Sequence, residues 1–99
     1  MTLLWKKKQK LGTLSDEELI RLYTKERDKE SFGEIYKRYS PMVYGACIKY
    51  LKDSDEAHDT TMDIFESLMN KLPQQKEIRS FDNWIFLVTR NECFSRLRN

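Results

Sequence analysis

Residues 54–72, SDEAHDTTMDIFESLMNKL, and residues 80–99, SFDNWIFLVTRNECFSRLRN, decide the fold between them. Both read as helices, and their chemistries are opposed. In the first, Ala57, Thr61, Ile64, Leu68 and Leu72 recur every three or four residues and form one inner stripe. Ser54 is expected as its N-cap, with Asp55 and Glu56 at the positive end of the helix dipole. Pro73 stops it. Away from the stripe, Glu56, Asp59, Asp63 and Glu66 share another face, and no Lys or Arg precedes Lys71. Like charges at these spacings cost a few tenths of a kcal/mol per pair, roughly. A partner rich in Arg or Lys would offset that cost, and so would plain solvation of a face that aids solubility. The charge pattern leaves both open.

The second helix is expected to start at Ser80 as cap and to bury Phe81, Trp84, Ile85 and Val88, with Leu87 and Phe94 beside that stripe. Phe86 lies off the stripe, towards the side of Arg90. An aromatic ring with a guanidinium makes a platform on which an unpaired base stacks, worth about 1–3 kcal/mol per base. Arg96 and Arg98 suit either phosphates or the negative end of the helix dipole. Between the helices, the polar loop PQQKEIR at 73–79 sets Lys76 and Arg79 where a loop clamps an extruded base.

Two more helices precede this pair. Ser15 and Glu18 form an S-x-x-E capping box, and the helix it opens should end near Arg27 or Asp28. The next runs from about Glu30 to Leu51, with Phe32, Ile35, Tyr36, Tyr39, Val43, Ala46 and Tyr50 as one buried stripe. Pro41 removes an amide inside it and predicts a kink or short break near Ser40. No alternating strand pattern occurs. The expectation is an all-α bundle of about four helices spanning 14–99, with 1–13 as a flexible basic leader, either solvated or touching nucleic acid.

Composition bounds the function. The chain has 99 residues, 34% of them charged, and a formal charge of only +2, so the distribution of charge carries more meaning than its sum. Cys47 and Cys93 stand far apart in sequence, with one histidine, His58; this excludes the usual zinc spacings and reads as two isolated, buried thiols. No E-x-x-H pair or calcium loop occurs, and His58 and Asp59, adjacent on a helix, point apart. Neither a catalytic constellation nor a cofactor is expected. The apolar run before Trp5 is too short for a signal peptide, and no segment has the apolar length of a membrane span; the expected location is the cytoplasm.

From Ser15 to Asn99 the chain resembles region 2 of the extracytoplasmic-function (ECF) sigma factors of the bacterial sigma-70 family. SDEELIRLYTKERDKESFGEIYKRYSPMVYGACIKYL looks like that family's opening, followed in order by DSDEAHDTTMDIFESLMNKL and RSFDNWIFLVTRNECFSRLRN. Each piece is weakly specific, whereas the succession YSPMVYG, DxxxDIF, FxxWIFxVTRN is highly specific. The resemblance implies a domain that binds core RNA polymerase and recognises and melts the minus-ten promoter element. It places Asp55, Glu56, Asp59, Met62, Asp63, Phe65 and Glu66 against the clamp helices of the beta-prime subunit. It places Lys76, Arg79, Ser80, Phe86, Arg90, Asn91, Arg96 and Arg98 against the unpaired non-template strand, with Phe81 and Trp84 at corresponding positions. Asn91 suits a base edge, or equally a backbone group across the bundle. The chain departs from the family pattern at Met62, where many members have Gln, and at Ser95, where many have Asp. Those departures support a rival reading, a sigma-like module that binds polymerase or an anti-sigma factor without initiating transcription. Family members continue into region 4, which reads the minus-thirty-five element. A sequence that stops at Asn99 is therefore expected to be a piece of a longer protein.

Overall fold

A computed structural model describes residues 10–75 and 78–98. Four long helices make up most of it: α1 (Asp16–Glu26), α2 (Lys29–Leu51), α3 (Ser54–Lys71) and α4 (Phe81–Arg98), with a 3-10 turn at Leu72–Gln74. There is no strand among the described residues.

Local chemistry sets the helix ends. At α1 the Ser15 hydroxyl accepts from the Glu18 amide at 3.1 Å, and the Glu18 carboxylate accepts from the Ser15 amide at 3.0 Å, completing the capping box. Hydrogen bonding from Ser15, its backbone amide first and then its side chain, holds the Glu18 carboxyl below the usual carboxylate range. Asp28 caps α2 by accepting from the Glu30 amide at 3.2 Å. At α3 the cap is Asp53, not the expected Ser54: its carboxylate accepts from the Glu56 amide at 2.9 Å, and Ser54 is the first helical residue. Both residue types cap well, so composition alone does not separate neighbours. Helices α1 and α2 end on left-handed residues that are not glycine, Arg27 at φ 53° and Lys52 at φ 57°. Their amides bond back to the Tyr23 and Ile48 carbonyls at 2.9 and 2.8 Å.

Helix α2 runs without a break through Pro41. Lys37, whose carbonyl loses its donor, and Pro41 itself are both exposed residues. Ile35 before Pro41, and Val43 and Cys47 after it, are fully buried, so both halves pack into the core.

The core lies around α2, which packs on α1, α3 and α4. The stripe expected for α3 is buried throughout, from Ala57 to Leu72. In α4 the fully packed positions are Phe81, Ile85, Thr89 and Cys93, while Trp84 and Val88 are half-buried. Buried Thr61 and Thr89 donate to the carbonyls four residues back, Ala57 at 2.7 Å and Ile85 at 2.8 Å, so their hydroxyls cost little inside. Ring contacts join the layers: Tyr23 with Phe32, Tyr39 edge-on to Phe81 and Tyr50 edge-on to Phe94, at 5.0, 5.0 and 5.2 Å between centroids.

Packing begins ahead of the expected domain start. Leu11 is buried, and Arg38 donates to the carbonyls of Leu11 and Gly12 at 3.2 and 3.3 Å. The same guanidinium pairs with Asp16 and Glu34, both at 3.0 Å, and Asp16 also accepts from the Tyr39 hydroxyl. Residues 1–9 of the basic leader lie outside the described residues. The two cysteines are buried as expected, but they are not isolated: Cys47 on α2 and Cys93 on α4 meet, with 3.6 Å between sulfurs.

Candidate functional site: an acidic face and an aromatic, basic face

On α3, Asp55, Glu56, Asp59, Met62, Asp63 and Glu66 are exposed. The face is therefore acidic with one apolar member, Met62, 46% exposed. Phe65 does not belong to it: only 3% exposed, it packs edge-on beneath Tyr36 at 4.7 Å between centroids. Tyr36, which it contacts, sets its hydroxyl 3.9 Å from the Met62 sulfur. Tyr36, read from spacing as part of the buried stripe of α2, is an exposed neighbour of the acidic face instead. Periodicity gives its direction around α2 but not the width of α3, which covers Phe65 and leaves the phenol outside.

The acidic face also has a basic neighbour, supplied by another helix. Arg96 of α4 donates to Asp63 at 2.5 Å and to Glu92 at 3.1 Å. The hydrogen bond to Asp63 is the largest contribution holding the proton on Arg96 more firmly. A carboxylate expected to face polymerase and an arginine expected to face DNA thus hold each other. Asp55, Glu56, Asp59 and Glu66 remain exposed outside that ion pair.

On α4 the exposed set is broader than expected. Phe86, Leu87, Phe94 and Leu97 are all large, apolar and at least 40% exposed. Leu87 and Phe94, expected beside the inner stripe, lie outward. Phe86, Arg90 and Phe94 are spaced by four residues, which sets them in one row. The guanidinium of Arg90 stands over the Phe94 ring, 6.0 Å from its centroid, and its buried Nε has no hydrogen-bond partner. Arg90 and Phe94 are therefore in contact, with Phe86 one turn before them. Signals for Phe94 were its spacing of four from Arg90 and eight from Phe86. Arg98, four residues after Phe94, continues the row, and Asn91 is exposed beside it.

Ahead of α4, the Ser80 hydroxyl donates to Asp82 at 2.5 Å, and Asp82 also accepts from the Asn83 amide at 2.8 Å. Those bonds, Ser80 first, hold the Asp82 carboxyl below the usual carboxylate range. Ser80 is thus occupied in shaping the start of α4, and its carbonyl accepts the Trp84 amide at 3.0 Å. Arg79 is exposed and lines a cleft of about 730 Å³ between α1 and the segment after α3. Ile20, Leu72 and Ile78 form apolar walls of this cleft, with Arg21 and Lys25 adding charge. Lys76 lies outside the described residues.

Among the described residues no three His, Cys, Asp or Glu side chains converge as metal ligands do, and no helix is long and apolar enough to cross a membrane. Comparison with known proteins adds the family. The model of the family described as Sigma-70 region 2 matches residues 35–99, from the first turns of α2 through both exposed faces. Neither curated proteins nor solved structures gave a match. With about two thirds of its length inside that match, the chain belongs to the sigma-70 region 2 family, the part of a sigma factor that binds RNA polymerase and recognises promoter DNA.

Proposed function

We propose that this region 2 is of the ECF type, docks on the beta-prime clamp helices of core polymerase through α3, and holds the unpaired non-template strand of the minus-ten element with α4 and the segment before it. It works in the cytoplasm, where polymerase is, and contributes binding energy, with no catalytic group of its own. The observation that carries this reading is the division of labour on one packed bundle. Asp55, Glu56, Asp59 and Glu66 are exposed on α3, while Phe86, Arg90 and Phe94 form a row on α4. Carboxylates suit a basic protein surface and repel phosphates. Aromatic faces flanked by guanidinium suit unstacked bases, and each stacked base offsets part of the few kcal/mol that extrusion costs, by about 1–3 kcal/mol. The cleft beside Arg79 has room for such a base. The test is reversal of the α3 charge at Asp59→Lys, a residue that is not itself part of the Asp63–Arg96 pair. It should abolish binding to core polymerase with the fold intact, and unchanged affinity would remove α3 from the interface.

A second reading rests on Leu87 and Leu97, which offer no aromatic face to a base. A protein, such as an anti-sigma factor, would then cover the row on α4. Loss of a co-purified protein partner on Leu97→Ser, with promoter oligonucleotide binding unchanged, would favour it.

A further inference from the structure

Cys47 and Cys93 stand apart from both faces, and nothing in the proposed function uses them. Each is fully buried, and the Cys93 thiol donates to the Cys47 sulfur across 3.6 Å. They lie at the contact of α2 with α4 and are 46 residues apart in sequence. One turn earlier on each helix, Val43 and Thr89 are fully buried. Just after them, Tyr50 meets Phe94 edge-on. The two sulfurs are therefore held opposite each other by packing before and after them. A disulfide needs sulfurs at about 2.05 Å, so closure asks for roughly 1.5 Å of approach, which side-chain rotation on two residues shares.

We propose that Cys47 and Cys93 form a redox modification site, closing to an intramolecular disulfide when the chain meets a hydroperoxide. In the first step one thiolate sulfur attacks a peroxide oxygen. The S–O bond forms, the O–O bond breaks, and the leaving hydroxide takes up a proton as water. In the second, the other sulfur attacks the sulfenic sulfur, forming S–S as S–O breaks, and a second water leaves. Hydrogen peroxide takes the two electrons. Burial, then the bond to Cys47, pushes the Cys93 thiol up to about 12, so the closed bundle holds it protonated and unreactive. Oxidation therefore proceeds from local openings of the α2–α4 contact, and the site records sustained exposure rather than brief exposure. Once formed, the bond encloses the end of α2, all of α3 and most of α4, and prevents that opening.

The experiment is oxidation of the full chain with excess hydrogen peroxide at neutral pH, followed by intact-mass and peptide mapping under non-reducing, denaturing conditions. The expected product is a monomer lighter by about 2 Da, the two hydrogens lost, with one cross-linked peptide joining Cys47 to Cys93, reversed by dithiothreitol. Its thermal midpoint should rise by several degrees, and amide exchange should slow in α4 around Cys93. Cys47→Ala and Cys93→Ala should each abolish the species. If either variant fails to fold, the wild-type peptide map still decides. Two free thiols after prolonged treatment, products heavier by whole oxygens, or cross-links only between chains would each overturn the proposal.

Discussion

The exposed faces of α3 and α4 differ in how they are built. The α3 face is an array of separate carboxylates that need no fixed geometry, because charge acts through water over about 8–10 Å. The α4 face is assembled by contact: Arg90 rests on Phe94, and Phe94 rests on Tyr50 of α2. One face attracts and the other fits. The first should respond to charge and salt, the second to the shape of single side chains. Where they touch, at Asp63 and Arg96, a member of each is spent on the other.

The largest expected effect comes from the core beneath both faces. Ile85 is fully buried, and Ile85→Ala should lower unfolding free energy by about 2–5 kcal/mol. Denaturant titration should show this, with both binding activities lost together. Retention of one activity would mean that the faces do not depend on a shared bundle. Next, Asp59→Lys should weaken core polymerase binding at least about 100-fold, since a misplaced like charge at an interface costs several kcal/mol. At polymerase concentrations that saturate the variant, oligonucleotide binding to the complex should remain intact. Phe94→Ala and Phe86→Ala should each weaken minus-ten single-stranded oligonucleotide binding to the polymerase complex by roughly 10-fold, a stacked base being worth about 1–3 kcal/mol. An effect from Phe86 alone would move the platform back one turn.

Smaller effects sharpen the boundary. Asp63→Asn frees Arg96 from its partner on α3. Asp63 is 58% exposed at its side chain, so stability should change by less than about 1 kcal/mol. Oligonucleotide affinity should rise a few-fold if the released guanidinium reaches phosphate, with a steeper salt dependence. A fall in affinity would mean that Arg96 serves only the bundle. Smallest, Lys52→Gly relieves a left-handed residue at the end of α2 and should stabilise the chain by about 1 kcal/mol in thermal unfolding, touching neither face.

Much of this was legible in the sequence. The capping box at Ser15, the inner stripe of α3 and the acidic face follow from spacing and charge, which are properties of one helix at a time. Errors arose where two helices decide together. Tyr36 and Phe65 exchange roles because α3 covers one and not the other. Phe94 lies outward because the inner stripe of α4 follows Phe81, Ile85, Thr89 and Cys93, a row centred on a threonine that single-residue hydrophobicity does not favour. The Asp63–Arg96 pair and the meeting of Cys47 with Cys93 span 33 and 46 residues, beyond any local pattern. At Pro41 the helix continues without the break that a missing amide allows.

The central claim is that two faces serve two partners. Its most direct test is the affinity of core polymerase for Asp59→Lys and Phe94→Ala, measured side by side with the unaltered chain. The account predicts a loss of at least about 100-fold for Asp59→Lys and no change for Phe94→Ala. Equal affinity for all three, or a loss confined to Phe94→Ala, would contradict it.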